Sequence, residues 1–391
     1  MDRLPVLYFS NSLVRGGAEE HVLTLLRGLD RSRFRPLVAC TPEVAKKMEP
    51  DLPDGVPVTA LRLRHPRDVG AAWQLAGLIR RERVAILHSH LFYSSLFASP
   101  IGRACKVPLI VETPHIREVW RRGWKASYAV DRFAGRFVDH YIAVSDANRR
   151  YLIDEKGVPA AKVVVIHNGC DLRRFDVGHT PAASLRKDLG FPADAPILVV
   201  IGRLEPQKGH RILLDALPVI QREFPSVRLV CVGEGVLREE LQARVHALGM
   251  DDAVRFVGQQ SNVPEWLALA DVVVLPSFYE GLPLAAIEAL AATRAMVATS
   301  VDGTPEVVIA EETGLLVPPG NPGRLAGAIG RLLRDPGLRK RLAEAGREHV
   351  KVRFTDVRQV ARTEALYELA LRRRHVSGVG DGRLVAAGQQ S

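Results

Sequence analysis

The chain has 391 residues, 47% hydrophobic and 25% charged, with a formal net charge of +10 at pH 7. That length exceeds the roughly 250–300 residues over which one core keeps growing, so two globular domains are expected, and the composition excludes a disordered tail or a membrane bundle. The positive excess is uneven, because residues 1–195 hold 30 of the 54 Lys and Arg but only 21 of the 44 Asp and Glu.

The apolar run that begins at Leu4 is too short for a signal-peptide core and reads as a first strand. No stretch approaches the ~20 apolar residues that span a bilayer, so any membrane contact must be peripheral. Gly16-Gly17-Ala18-Glu19 follows and opens a helix carrying Val22, Leu23, Leu25 and Leu26, which aims backbone N–H groups at an anion. It is not the Gly-x-Gly-x-x-Gly loop that a nicotinamide-dependent dehydrogenase needs. Cys40, Cys105, Cys170 and Cys231 lie far apart with no Cys-x-x-Cys pair, which argues for reduced thiols in a cytosol and against zinc.

Short β-branched runs then alternate with helical patterns: Val84 to Leu87, Leu109 to Val111, Tyr141 to Val144, Ile197 to Ile201, Val227 to Val232 and Val272 to Leu275. The alternation predicts βαβ units on parallel sheets, with function in the loops at the carboxyl ends of the strands. His88-Ser89-His90 ends the first of these runs. The two histidines face one side without a third ligand of suitable spacing, so packing or hydrogen bonding is the favoured reading. His115 differs: Pro114 fixes its loop, and Arg117, Arg121, Arg122 and Lys125 follow closely enough to meet a charged ligand. Ser145 reads as a helix cap and His167-Asn168-Gly169 as a turn.

Gly178, Pro181, Gly190, Pro192 and Pro196 mark a linker between Phe175 and Pro196. After the strand at 197–201, Gly202-Arg203-Leu204-Glu205-Pro206-Gln207-Lys208-Gly209 opens a helix. Arg203 offers a planar fork and Lys208 a mobile point charge, which together could neutralise a diphosphate. No Asp-x-Asp occurs, so no metal site is expected. Gly233-Glu234-Gly235 could let a nucleotide approach the backbone; a tight turn explains it equally well. Glu280-Gly281-Leu282-Pro283 precedes a helix whose N-terminus suits phosphate, and Glu288, two turns beyond Glu280, could accept both hydroxyls of a ribose. The plain alternative makes both glutamates ordinary helix charges. Gly303-Thr304-Pro305-Glu306 is read as a loop and Gly314 to Val317 as core strand. A helical pattern runs from beyond Phe354 to Arg374, followed by an aperiodic tail.

These residues together resemble the retaining glycosyltransferases of family-four type, group 1, which include sucrose synthase and many polysaccharide-assembly enzymes. The matching positions are Gly16 to Glu19, His115, His167 to Gly169, Gly202-Arg203 with Lys208-Gly209, Glu280 with Glu288, and Gly303 with Pro305-Glu306. Ile116, Arg294, Asp302 and Asn321 depart from the pattern, at positions that bear on the acceptor and on loop geometry. The resemblance implies an α/β GT-B fold of two facing Rossmann-like domains with parallel sheets and an interdomain cleft. Its expected divisions are 1–178 for the acceptor, 179–354 for a nucleotide sugar, 355–375 as a helix crossing back, and 376–391 as a disordered tail.

By the same resemblance, Gly202, Arg203, Lys208, Gly233, Glu280, Gly281, Leu282 and Glu288 bind the donor. Arg203 and Lys208 take the diphosphate, Glu288 the ribose and Glu280 the sugar. His115, Glu280, Arg203 and Lys208 carry the reaction, and Gly16, Gly17, His115 and Arg117 face the acceptor. The implied reaction moves a hexose from a UDP-, GDP- or ADP-sugar to a hydroxyl, with retention and with no cofactor or metal, in polysaccharide or glycolipid assembly. Expected partners are the donor and a glycan or lipid-linked acceptor met at the inner face of the cell membrane, with anionic lipid and without nucleic acid. A nucleotide-sugar epimerase of the same fold, or a noncatalytic nucleotide- or anion-binding module, are the alternatives; release of nucleoside diphosphate only with acceptor present separates them.

Overall fold

The computed structural model describes residues 3–10, 16–63, 68–117, 127–176 and 179–381. They fall into two compact units, one running to His167 and resuming at Asp356, the other Asn168–Thr355.

The first unit is built on seven parallel strands: β1 (Leu4–Ser10), β2 (Phe34–Cys40), β3 (Val58–Ala60), β4 (Ile86–His90), β5 (Leu109–Thr113), β6 (His140–Ala143) and β7 (Val163–Val165). Their order is β3-β2-β1-β4-β5-β6-β7. The central strands are continuously apolar or buried because helices cover both faces of the sheet. One face packs Val22, Leu25 and Leu26 of the helix Gly17–Gly28 together with Val360, Leu366 and Tyr367 of the last helix. The other packs Leu75 and Leu78 of the helix Val69–Arg81 with Phe97 and Ala98 of the helix Phe92–Ala104. His88, Ser89 and His90, which by sequence end a strand, are the last three residues of β4, fully buried.

The second unit has β8 (Ile197–Ile201), β9 (Arg228–Val232), β10 (Val254–Gly258), β11 (Val272–Leu275), β12 (Met296–Thr299) and β13 (Leu315–Val317), all parallel, in the order β10-β9-β8-β11-β12-β13. The strand order reverses between β8 and β11, and such a reversal opens a crevice at the carboxyl ends of the strands.

Several boundaries differ from expectation. The division between units falls before Asn168 rather than at 178, because the Asn168 amide donates to the Leu282 carbonyl (3.3 Å) and the Cys170 N–H to the Phe354 carbonyl (3.0 Å). The expected linker contains a helix, His179–Asp188, which packs on the helix Val263–Leu269. Gly303 to Glu306 is not a plain loop: Gly303 caps a short helix, Thr304–Val307. The last helix runs from Asp356 to Asp381, past the expected limit at 375, and residues 382–391 of the expected tail lie outside the described residues. No described helix is long and apolar enough to cross a membrane.

Candidate functional site

In the second unit four neighbouring strands end on one edge of the sheet, and each is followed by a residue singled out in the sequence: Gly202 after β8, Gly233 after β9, Glu280 after β11 and Asp302 after β12. The backbones approach too closely there for side chains. Gly233 has φ +143°, and a Cβ on it would lie 2.0 Å from the Gly202 carbonyl oxygen; one on Gly209, at φ +67°, would lie 2.0 Å from the Pro276 oxygen. These glycines let the β8, β9 and β11 loops meet.

The meeting brings Lys208 to Glu280. Lys208 closes the short 3-10 turn Pro206–Lys208, and its ammonium donates to Glu280 Oε1 at 2.6 Å. Ser277 Oγ donates to the same oxygen at 2.7 Å, and the Glu280 N–H donates to Asp302 Oδ2 at 3.0 Å. The Lys208 and Glu280 side chains are 16% and 6% exposed, so the pair is poorly screened by solvent. Arg203 donates to Gln207 Oε1 at 3.3 Å, and the Gln207 amide donates to the Tyr279 carbonyl at 2.9 Å, tying the β8 loop to the β11 loop. Burial raises the Tyr279 phenol above its ordinary value. Gly281 and Leu282 are buried, and Glu288 is half-buried on the helix Leu284–Ala291, for which Pro283 is the N-cap.

The sequence placed Lys208 and Glu280 in separate roles, and their direct pairing was not foreseen. Ser277 and Gln207 were also missed; both are small contributions from loop residues of ordinary type. Asp302 stands where a glycine is usual and has φ +38°, a conformation that Asp tolerates better than most residues, and its carboxylate holds the Glu280 N–H. His210, the first residue of the helix His210–Glu223, gave no sequence signal. It is buried, neither ring nitrogen has a hydrogen-bond partner among the described residues, and burial beside the Lys208 charge pushes its pKa down to about 4.

In the first unit, Gly16 is the N-cap of the helix Gly17–Gly28, and its N–H donates to Glu19 Oε2 at 2.9 Å. His115, buried and at φ +29°, follows β5. It belongs to a group of four histidines: His90 Nδ1 lies 3.0 Å from His115 Nε2, the His21 ring is 4.8 Å from the His115 ring, and the His88 ring lies tilted beside that of His90 at 4.3 Å. His88 in turn contacts Tyr367 Oη at 2.6 Å and Thr113 Oγ1 at 2.7 Å. Burial, reinforced by the neighbouring imidazoles, holds His88, His90 and His115 well below the ordinary histidine value, so they are neutral at pH 7. Arg117 pairs with Glu155 and lies 5.6 Å over the Tyr151 ring. Arg121, Arg122 and Lys125 fall outside the described residues. Ser145 caps the helix Asp146–Arg150 by accepting from the Asn148 N–H at 2.9 Å.

Two Rossmann-like units with their functional candidates at the carboxyl ends of parallel strands define a nucleotide-type binding architecture. Comparison with known proteins is specific. Residues 15–174 match the glycosyltransferase family 4 model, and residues 182–349 the model for glycosyl transferases group 1. The glycogen synthase of Mycobacterium tuberculosis is 34% identical over 309 residues, covering 76% of this chain and 71% of the relative. An uncharacterized glycosyltransferase of Methanocaldococcus jannaschii is 27% identical, with 93% and 92% covered. Among solved structures, Anabaena HepE in complex with UDP-glucose superposes with a TM-score of 0.83 at 22% identity, covering 94% of this chain and all of that one. The fold is GT-B. The chain belongs to the group 1, family 4 glycosyltransferases, and is a glycosyltransferase.

Proposed function

We propose that the chain is a retaining glycosyltransferase that moves a hexose from a nucleoside diphosphate sugar, bound at the carboxyl edge of the second unit's sheet, to a hydroxyl acceptor. The observation that carries this reading is the cluster of Arg203, Lys208 and Glu280 beside the bare backbones of Gly202 and Gly233. Arg203 and Lys208 would be the two cations that meet the diphosphate there. They would stabilise the negative charge that develops as the leaving diphosphate departs, so the mechanism needs no metal. Glu280 would orient the sugar and Glu288 the ribose. Lys208 is held by Glu280 until the diphosphate competes for it.

UDP is the first nucleotide to test, because HepE is solved with UDP-glucose. The relatives differ in acceptor: glycogen in one name, D-inositol 3-phosphate in another. His115, Gly16, Gly17 and Arg117 are proposed to face the acceptor side, and the surplus of positive charge in residues 1–195 favours a glycan or lipid-linked acceptor met at an anionic inner membrane face. Cell-surface polysaccharide or glycolipid assembly fits that acceptor.

A thermal-shift screen of UDP-, GDP- and ADP-sugars tests the donor, because a ligand selective for the folded state raises apparent stability. One sugar nucleotide should stabilise the wild-type chain and not Lys208→Ala. Uniform indifference to all of them would refute the proposal. Liposome sedimentation with and without anionic lipid tests the membrane contact, and binding indifferent to lipid charge would refute it.

A further inference from the structure

The histidine cluster of the first unit contains a hydrogen bond whose direction has a chemical consequence. His90 Nδ1 and His115 Nε2 are 3.0 Å apart, and both rings are neutral, so one nitrogen donates and the other accepts. If His115 donated from Nε2, His90 would carry its own proton on Nε2. That atom is buried without a partner among the described residues, so an N–H there would be an unsatisfied buried donor. If His90 donates from Nδ1, the orphaned atom is only a lone pair, the less costly of the two to leave unmatched. His115 then keeps its proton on Nδ1, which makes no hydrogen bond among the described residues, in a residue that is 9% exposed.

We propose that His90 is a positioning residue that fixes the tautomer of His115, so that His115 presents an Nδ1–H donor, and never a lone pair, to a sugar oxygen at the site. The proposal deepens the reading of His115 as a residue that touches the substrate, and rests on it for its catalytic consequence alone. A donor in that place recognises a hydroxyl or ring oxygen and cannot abstract a proton. The support is layered. Thr113 and Tyr367 hold His88, whose ring lies tilted against that of His90, while the Gln359 amide contacts His21 Nδ1 at 3.1 Å and the His21 ring lies edge-on to His115. The titratable groups facing the His90–His115 pair are thus His21 and His88, which both disfavour a second positive charge, and Tyr8, whose ring lies 5.9 Å from that of His90 and whose phenol is pushed up by burial.

Two measurements decide the matter. Long-range proton–nitrogen correlation on the full chain, labelled with 15N-histidine and assigned by the signals lost in His115→Asn, should find Nδ1 of His115 protonated and Nε2 bare. A protonated Nε2 overturns the proposal, and this reading needs no activity, so it stands apart from whether sugar transfer occurs. The second measurement compares variants with the donor found by the screen. His90→Asn keeps an N–H near the Nδ1 position and should hold kcat within about threefold, whereas His90→Leu loses the donor and should lower kcat about tenfold with KM little changed. His90→Asp replaces the donor by an acceptor, forces the proton of His115 onto Nε2, and should both lower kcat about tenfold and move a titration into the accessible pH range. Equal losses in all three variants would leave His90 a packing residue and overturn the proposal.

Discussion

Breaking the Lys208–Glu280 pair gives a sharp test of the second unit's architecture. In Lys208→Ala the Glu280 carboxylate stays buried, keeping the Ser277 hydroxyl but losing its neutralising charge. Removing one partner of a fully buried pair costs about 3–5 kcal/mol; with Lys208 16% exposed, about 2–3 kcal/mol is expected. Glu280→Gln is milder, because the amide oxygen can still accept from both Lys208 and Ser277, and about 1–2 kcal/mol is expected. For a domain of this size each kcal/mol is roughly 2–4 °C in Tm, so Lys208→Ala should unfold several degrees below Glu280→Gln. The double variant should be less destabilised than the sum of the singles by at least about 1 kcal/mol, since each single already forfeits the same interaction. Thermal and urea unfolding of the four proteins, followed by tryptophan fluorescence, reads this coupling. Additivity within about 0.5 kcal/mol would refute the pairing as a source of stability.

Gly233→Ala should abolish nucleotide stabilisation and lower Tm by several degrees, because its Cβ would meet the Gly202 oxygen at 2.0 Å; a variant with wild-type Tm in a thermal scan would contradict the close approach. Acid should destabilise the chain. The His210 pKa is about 4 when folded and near 6.5 when unfolded, so between these values the unfolded chain binds more protons and stability falls with pH, by up to about 3 kcal/mol from this residue. His88, His90 and His115 act in the same direction. Urea midpoints at pH 7.5 and 5 should differ accordingly, less so in His210→Leu, and an unchanged slope in that variant would remove His210 from the account. Tyr367→Phe leaves His88 Nδ1 without its 2.6 Å partner and should cost about 1–3 kcal/mol in urea unfolding, with an effect under about 0.5 kcal/mol arguing against that bond.

The alternation of apolar runs with helical stretches, read from the sequence alone, identified two parallel-sheet domains and most central strands, because a strand buried on both faces must be apolar throughout, as in Ile197-Leu198-Val199-Val200-Ile201. The strands that escaped notice are those where the pattern is broken or short. β2 contains Pro36, β3 has three residues, and β10 carries Arg255 and ends on Gly258. The candidate donor residues were also legible singly, since Gly202, Arg203, Lys208, Gly233 and Glu280 each lie in a segment that follows a strand, where ligand-binding loops of a parallel sheet are expected.

Which of them touch was decided by tertiary structure. Lys208 and Glu280 are 72 residues apart, and they meet because β8 lies beside β11 in the sheet and Gly209 admits the Pro276 backbone. Local periodicity records which face of an element is buried; it carries no record of strand order. The same limit hid the histidine cluster. His21 lies within the buried stretch of its helix, and Tyr367 reads as one more apolar position in the last helix. Only the placement of that helix and of β4 against β1 and β5 turns four scattered histidines and a tyrosine into one hydrogen-bonded and ring-packed group.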